Sequence, residues 1–492
     1  MKNKGPVLLS MIAILLASCA STSSFSSDST KASSVSSVRS SSFSTSIKSS
    51  ISDGSTILPS SSPLSSDPTS SFNSEFTLKG ANQLRNPEGL SHKITYEQYT
   101  AESFVSFRNK MKSFSNKLSE TITKRQFVDG ENFTVSPLSI ELCLGLAIRS
   151  ADGETRRELL SALDMDYETF NTNYKLFYDY LFHEKINNMG NLTSQCLLTN
   201  SIWIDDEVTL KDSGLDALRD DYYCYAFDTD FNGDNAAANQ AIKDFINYNT
   251  KGLINPDLGL SPTTLFVLMN TVYIKDIWNE YGRDLGFAPE NIQFKNSDGS
   301  KSNKRLLSGH YNDGKKIVTD DYSCFYTSTN NGYNIYFIRP NEGKNLKDIF
   351  NKSVMDSVTE YKNYVKQDAT KLERYHTNCY FPEFEVSGDI DLTSVFQEDL
   401  NVTSLFNPSS CDFSNLADSQ VYCSNFKQLA KLKVNKTGIE GAAVTYMEYA
   451  GAVGPGEYED VYETFIVDKE FGFVLTYNNS VVFSGIVNNI DK

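Results

Sequence analysis

Residues 264–274 read TLFVLMNTVYI. This run carries no charge and is dense in β-branched and aromatic side chains, which predicts a strand buried on both faces. A strand of that kind forces a layered fold, because something apolar has to cover each side of its sheet. A second stretch, Leu138 to Ile148, is apolar nearly all round and predicts a central helix. Ser136 is suited to cap it, and Pro137 stands at the first helical position, where a missing N–H costs nothing. Upstream, Phe104, Phe107, Met111, Phe114 and Leu118 recur at steps of three and four, which predicts a helix over 95–124. Gly153 ends the buried helix, and Glu154 to Leu163 forms an amphipathic one. Residues 196–204 read as a strand and 235–249 as a helix. Residues 471–477 and 481–487 pair as a hairpin around Asn478-Asn479-Ser480. Helices come early and strands late, so the fold class is α+β.

The N-terminus has a different character. Lys2 and Lys4 precede an apolar stretch, Val7 to Leu16, too short to span a bilayer of about 30 Å. Leu16-Ala17-Ser18-Cys19 resembles a bacterial lipobox, which implies cleavage before Cys19 and lipidation of its thiol. Residues 20–75 then hold 27 serines in 56 positions, too little apolar surface to offset the entropy of ordering. The expected organisation is a lipoprotein signal peptide over 1–19, a Ser-rich tether over 20–94 and a globular domain over 95–492. This would place the chain on the extracellular face of a bacterial cell membrane, lipid-anchored at Cys19. No other apolar run reaches 18 residues. The net charge of −17 argues against a nucleic-acid partner, since two polyanions repel at long range.

A catalytic constellation is hard to find. The four histidines are His92, His183, His310 and His376, and HExxH, GxSxG, GxxxxGK[ST] and GxGxxG motifs are all missing. Glu154 and the Glu383/Glu385 pair fit a solvated face. Beyond Cys19 seven cysteines remain, at 143, 196, 224, 324, 379, 411 and 423. Without any CxxC pair they predict reduced thiols, with neither a zinc site nor a disulfide framework. The expectation at this point is binding or inhibition.

Six segments, taken in order, resemble the serpin family over roughly residues 95–492. NFTVSPLSI (132–140) is similar to the start of the buried serpin helix, and ADGETRREL (151–159) to the turn after it. LMNTVYIKDIW (268–278) resembles the central-strand pattern N-x-x-x-F-K-x-x-W. FPEF (381–384) and DFSNL (412–416) stand where the family has LPKF and DFS. KVNKTGIEGAAVT (433–445) resembles the hinge of the reactive-centre loop. The resemblance implies helices packed around three β-sheets, with an exposed loop over about 435–463. It also implies a polar cluster controlling sheet opening, carried here by Ser136, Ser139, Asn270 and Gln428. The family's histidine is replaced by Gln428, which hydrogen-bonds but gains no charge. The family usually has Thr at Ile439, Pro, Ser or Thr at Glu470, and a large apolar residue at Gly472.

The mechanism the resemblance implies is suicide inhibition by a monomer that is not an enzyme and needs no cofactor or metal. A protease cuts the loop, residues 438–451 insert into the main sheet as a new strand, and the acyl-enzyme is trapped as a 1:1 covalent complex. The hinge would be Gly438, Ile439, Glu440, Gly441, Ala442, Ala443, Val444 and Thr445. Alternation supports insertion: Ile439, Gly441, Ala443, Thr445, Met447 and Tyr449 form an uncharged face, while Glu440 and Glu448 share the other. Family spacing from Gly438 puts the reactive bond at Ala452-Val453. Small bait residues point to an elastase-like or subtilisin-like serine protease, and no Lys or Arg between 437 and 468 invites a trypsin-like one. Two alternatives carry the same fold: an inhibitor of cysteine proteases, and a non-inhibitory surface serpin acting as a binding protein. The anchor is testable first. Fatty-acid labelling should reach the full chain and fail in Cys19→Ala, which should leave the membrane fraction on cell disruption.

Overall fold

The computed structural model describes residues 78–87, 92–188, 190–278, 284–312, 316–360, 372–440 and 458–492, together with the backbone of Leu9–Ser18. Cys19, most of the Ser-rich segment, hinge residues Gly441, Ala442, Ala443, Val444 and Thr445, and the reactive bond Ala452-Val453 lie outside the described residues.

The main sheet has nine strands: β1 (Leu9–Ser18), β2 (Asn82–Arg85), β3 (His183–Ile186), β4 (Leu192–Asp205), β5 (Cys224–Thr229), β6 (Thr264–Ile277), β7 (Phe384–Asp391), β8 (Val421–Val434) and β9 (Gly438–Glu440). The apolar run 264–274 lies in β6, which pairs antiparallel with β4 over Phe266 to Asp276. On its other side the neighbour changes along its length. Backbone of β1 runs parallel to both β6 and β8, over Thr264 to Tyr273 and Val421 to Ala430. Further along, β9 lies antiparallel to both, against Asp276 and Ile277 on one side and Lys433 and Val434 on the other. The seam between β6 and β8 thus holds two segments in succession. The sequence reading gave Leu9–Ser18 to an export leader; here its backbone is strand.

Two further sheets complete the layers, beside a two-stranded ribbon of Ile292–Lys295 and Lys301–Lys304. One sheet runs from Ile317–Val318 through Tyr322–Ser328, Tyr333–Pro340, Phe471–Tyr477 and Ser480–Val487 to Phe133–Val135. Its central hairpin turns on Asn478 and Asn479, both in the left-handed region at φ 49° and 67°, which asparagine tolerates. The other sheet has Tyr458–Ile466 at its edge, beside Leu372–Phe381, then Leu307–Asn312 and Gly286–Phe287.

The expected helix over 95–124 is divided. Thr95 and Gln98 form a capping box around one turn, Tyr96–Thr100, and Ala101 is extended (ψ 131°) before α1 (Glu102–Gln126) begins. Next comes α2 (Pro137–Ser150), buried along nearly its whole length, and then α3 (Gly153–Ala162). The close fit of α2 depends on Gly145: a Cβ there would overlap the ring of Tyr174. The folded unit reaches back into the segment 20–94 expected to be tether. Asn82–Arg85 pairs with β5, and the Arg85 guanidinium holds Asp212 and Asp216, each at 2.7 Å. Polar residues at this segment's ends had disguised it as linker. Among the described residues no helix is long and apolar enough to cross a membrane.

One buried group works against the apolar character of α2. Glu141 is 1 % exposed, and its carboxylate oxygen accepts the Ser115 hydroxyl of α1. Burial pushes its pKa well above the usual glutamate range. The folded chain therefore keeps a proton that the unfolded chain releases, so stability falls as pH rises from the ordinary glutamate value to the raised one. The slope there reaches about 1.4 kcal/mol per pH unit. Glu141→Gln removes the titration but keeps the hydrogen bond. Its melting temperature should match the parent near pH 4 and exceed it increasingly toward pH 7.

Candidate functional site: hinge strand and buried polar network

The chain turns from β8 into β9 through Asn435. Its Oδ1 accepts the amides of Thr437 (2.9 Å) and Gly438 (3.2 Å), and its own amide bonds the Gly438 carbonyl at 2.9 Å. Trp278, just past β6, clamps this turn: its amide donates to the Thr437 carbonyl and its indole N–H to the Asn435 carbonyl at 2.6 Å. Lys436 pairs with Asp284 at 2.7 Å, and its amide donates to Glu383.

From there Gly438 and Ile439 enter the main sheet. Gly438 has to lack a side chain, because a Cβ would overlap the Asp276 carbonyl. Ile439 is 0 % exposed. Directly paired residues put their side chains on the same face, which creates a row across five strands: Lys185, Ser194, Asp276, Ile439 and Val434. Glu440 faces the other way, is half-buried, and accepts the Tyr273 hydroxyl at 3.4 Å. The sequence reading had hinge residues insert after cleavage. In the uncut chain Gly438, Ile439 and Glu440 are already strand. An apolar side chain at 439 favours this, since docking hides it from water.

Below the seam, the four residues expected to control sheet opening lie in one buried network. Gln428 on β8 spans the backbone of Ser136: Oε1 accepts its amide at 3.1 Å and Nε2 donates to its carbonyl at 2.8 Å. The Ser136 hydroxyl caps α2 through the Ser139 amide and donates to the Val482 carbonyl. Ser139 donates to Asn270 Oδ1 on β6 at 2.8 Å. From Asn270 the network reaches residues that sequence reasoning missed. Its amide donates to Asn200 Oδ1 at 2.9 Å, and Asn200 in turn bonds the Tyr174 hydroxyl and the Tyr222 carbonyl. The available signal was Asn200 itself, an amide inside the apolar stretch CLLTNSIWI. Asn270 and Gln428 do not meet directly, because the β1 backbone stands between them at Leu15.

Two other clusters have a structural explanation. Ser194 Oγ lies 2.7 Å from His183 Nε2, a nucleophile-and-base distance. Yet Ser194 is fully buried, and burial holds His183 neutral by pushing its pKa down to about 3, so no substrate reaches the pair. Asp205, Asp206 and Asp230 converge, but both oxygens of buried Asp205 accept backbone amides, from Glu207 and Phe231. All seven cysteines from Cys143 to Cys423 are free and buried.

The sequence profile of the serpin (serine protease inhibitor) family matches residues 109–490. The chain belongs to the serpin family. Serpin A3-5 of Bos taurus is 26 % identical over 377 residues, covering 73 % of this chain and 84 % of that protein. Human antithrombin-III is 22 % identical over 381 residues, covering 73 % and 77 %. Among solved structures, the native state of tengpin, a thermophilic serpin, superposes with a TM-score of 0.61 at 19 % identity, covering 83 % of this chain and 99 % of tengpin. Human thyroxine-binding globulin with thyroxine superposes at 0.63 with 17 % identity, covering 79 % and 99 %. The solved structures show the serpin fold, and the family match supports protease inhibition at the level of the family.

The Gln428 bridge should be a main support of the seam. Gln428→Ala strands a buried amide on Ser136, and an unsatisfied buried donor costs about 1–3 kcal/mol. The urea midpoint should fall accordingly with an unchanged m-value.

Proposed function

We propose that this serpin is a suicide inhibitor of serine proteases with shallow, apolar primary pockets, elastase-like or subtilisin-like, cut at Ala452-Val453. The observation that carries the reading is β9. The first residues of the hinge run antiparallel between β6 and β8, the direction in which residues 441–451 would continue as strand. Growth of that strand past Glu440 adds roughly ten ladder hydrogen bonds, on the order of 10 kcal/mol at about 1 kcal/mol each. That is enough to strain a captured acyl-enzyme. For the strand to grow, the length of the seam taken by β1 has to be vacated. Removal of residues 1–18 as an export leader would do that, and would leave Cys19 to carry the lipid at the extracellular face of the cell membrane.

In the proposed reaction the target's serine hydroxyl attacks the Ala452 carbonyl. The peptide bond to Val453 breaks, the new amine leaves with the Val453 segment, and Ala452 stays on the serine as an ester. Insertion then carries the ester and the protease away from the loop's original position. The serpin is consumed once and turns nothing over.

Mixing the chain with pancreatic elastase should give a complex that survives boiling in detergent, and Ala452→Asp should reduce its yield at least tenfold. Cleavage of the loop by a non-target protease should raise the melting temperature by tens of degrees. A cut chain that melts no later than the intact one, with no stable complex, would reject inhibition.

A further inference from the structure

We propose that Asp276 makes docking of the hinge proton-linked: protonation of its carboxyl seats Ile439 beside it, and loss of that proton loosens β9 and frees the start of the loop. The regulatory consequence rests on reading residues 438–451 as the bait strand; the docking equilibrium itself does not.

The placement is unusual for an acid. Asp276 is 2 % exposed and lies in the cross-strand row between Ser194 and Ile439. Its Oδ1 accepts the Ile277 amide at 2.6 Å and its Oδ2 the Asn331 amide at 3.3 Å, with Thr329 also bonded to it. On the hinge side its neighbour in the row is the Ile439 side chain, so the carboxyl is dry while Ile439 is docked. Undocking β9 opens that side to water. Burial raises the Asp276 pKa well above the aspartate range, and Lys185 and the hydrogen bonds offset this only in part.

The surrounding groups leave Asp276 poorly compensated. From β3, Lys185 is the nearby cation, and its own burial lowers its pKa; His183, two residues earlier, is neutral. From β4 come Ser194 and the protonated thiol of Cys196. From the facing sheet come the phenols of Tyr333 and Tyr477, both held neutral by burial. Glu440 is on the opposite face. The sign follows directly. The docked form binds the proton more tightly than the undocked form, so docking is strongest in acid and weakens as pH rises through the raised value.

The chain has two tryptophans, Trp203 and Trp278. Trp278 bonds the hinge turn directly, so Trp203→Phe leaves a single reporter of docking. Its emission should titrate with pH in that variant, without any protease present. Asp276→Asn should abolish the titration. Lys185→Met should move its midpoint upward by about one pH unit, through loss of the offsetting cation. A titration that persists in Asp276→Asn, or a midpoint unmoved in Lys185→Met, overturns the proposal, and so does a flat profile in the Trp203→Phe parent. Should Asp276→Asn fail to fold, the Lys185→Met midpoint decides. Failure to trap elastase leaves these results untouched, which separates this proposal from the inhibitor reading.

Discussion

Everything in this molecule depends on the seam between β6 and β8. These strands run parallel and lie in the middle of the largest sheet, so each presents a row of backbone donors and acceptors toward the other. Buried backbone groups left unpaired cost about as much as lost hydrogen bonds. The seam therefore has to close on itself or take in a strand, and here it takes in two segments: β1 along most of its length and β9 at one end. An inhibitor that works by strand insertion needs a place where adding a strand is favourable. A seam that accepts parallel and antiparallel segments in succession has that property, because the ladder is satisfied by backbone from either direction.

What keeps the seam specific is the polar layer beneath it. Gln428 and Asn270 each reach down to the first turn of α2, one to Ser136 and the other to Ser139. With β1 between them they do not bond each other, yet neither is left unsatisfied. The helix N-terminus supplies amide, carbonyl and hydroxyl groups in one place, so each strand flanking the seam keeps its own anchor while the seam is occupied. Replacement of the family's histidine by Gln428 suits this arrangement. One amide both donates to and accepts from a single residue, and no charge is placed in a core that already keeps Glu141 neutral.

Much of the fold was legible in the sequence because it follows from periodicity. The buried strand at 264–274, the capped helix at Ser136-Pro137, the helix at 235–249 and the hairpin at Asn478-Asn479 all stand where local chemistry placed them. Tertiary partners decided the rest. Arg85 belongs to the folded unit because Asp212 and Asp216 come to it from more than a hundred residues away, which no local pattern records. Asn200 joins the polar layer for the same reason. For the hinge, composition supplied only an expectation, small residues with alternating faces, most of which lie outside the described residues. The docked state of Gly438 to Glu440 was not legible, since it depends on Ile439 meeting Asp276 across a strand pair.

Ile439 therefore has two opposing effects. As an uncharged residue it removes the desolvation penalty that a charged side chain would meet on entering the sheet, which favours insertion. As a large apolar residue already docked it also holds Gly438 to Glu440 in the sheet, which under the proposed mechanism would shorten the length available to a protease. The balance is set by the groups beside it in the row. Val434 on one side rewards its burial, whereas Asp276 on the other is desolvated by it. A wholly apolar row would leave the hinge permanently docked, and a fully ionised one would expel it. An acid whose charge depends on its surroundings leaves the equilibrium between those extremes, at the one position where the loop and the sheet first meet.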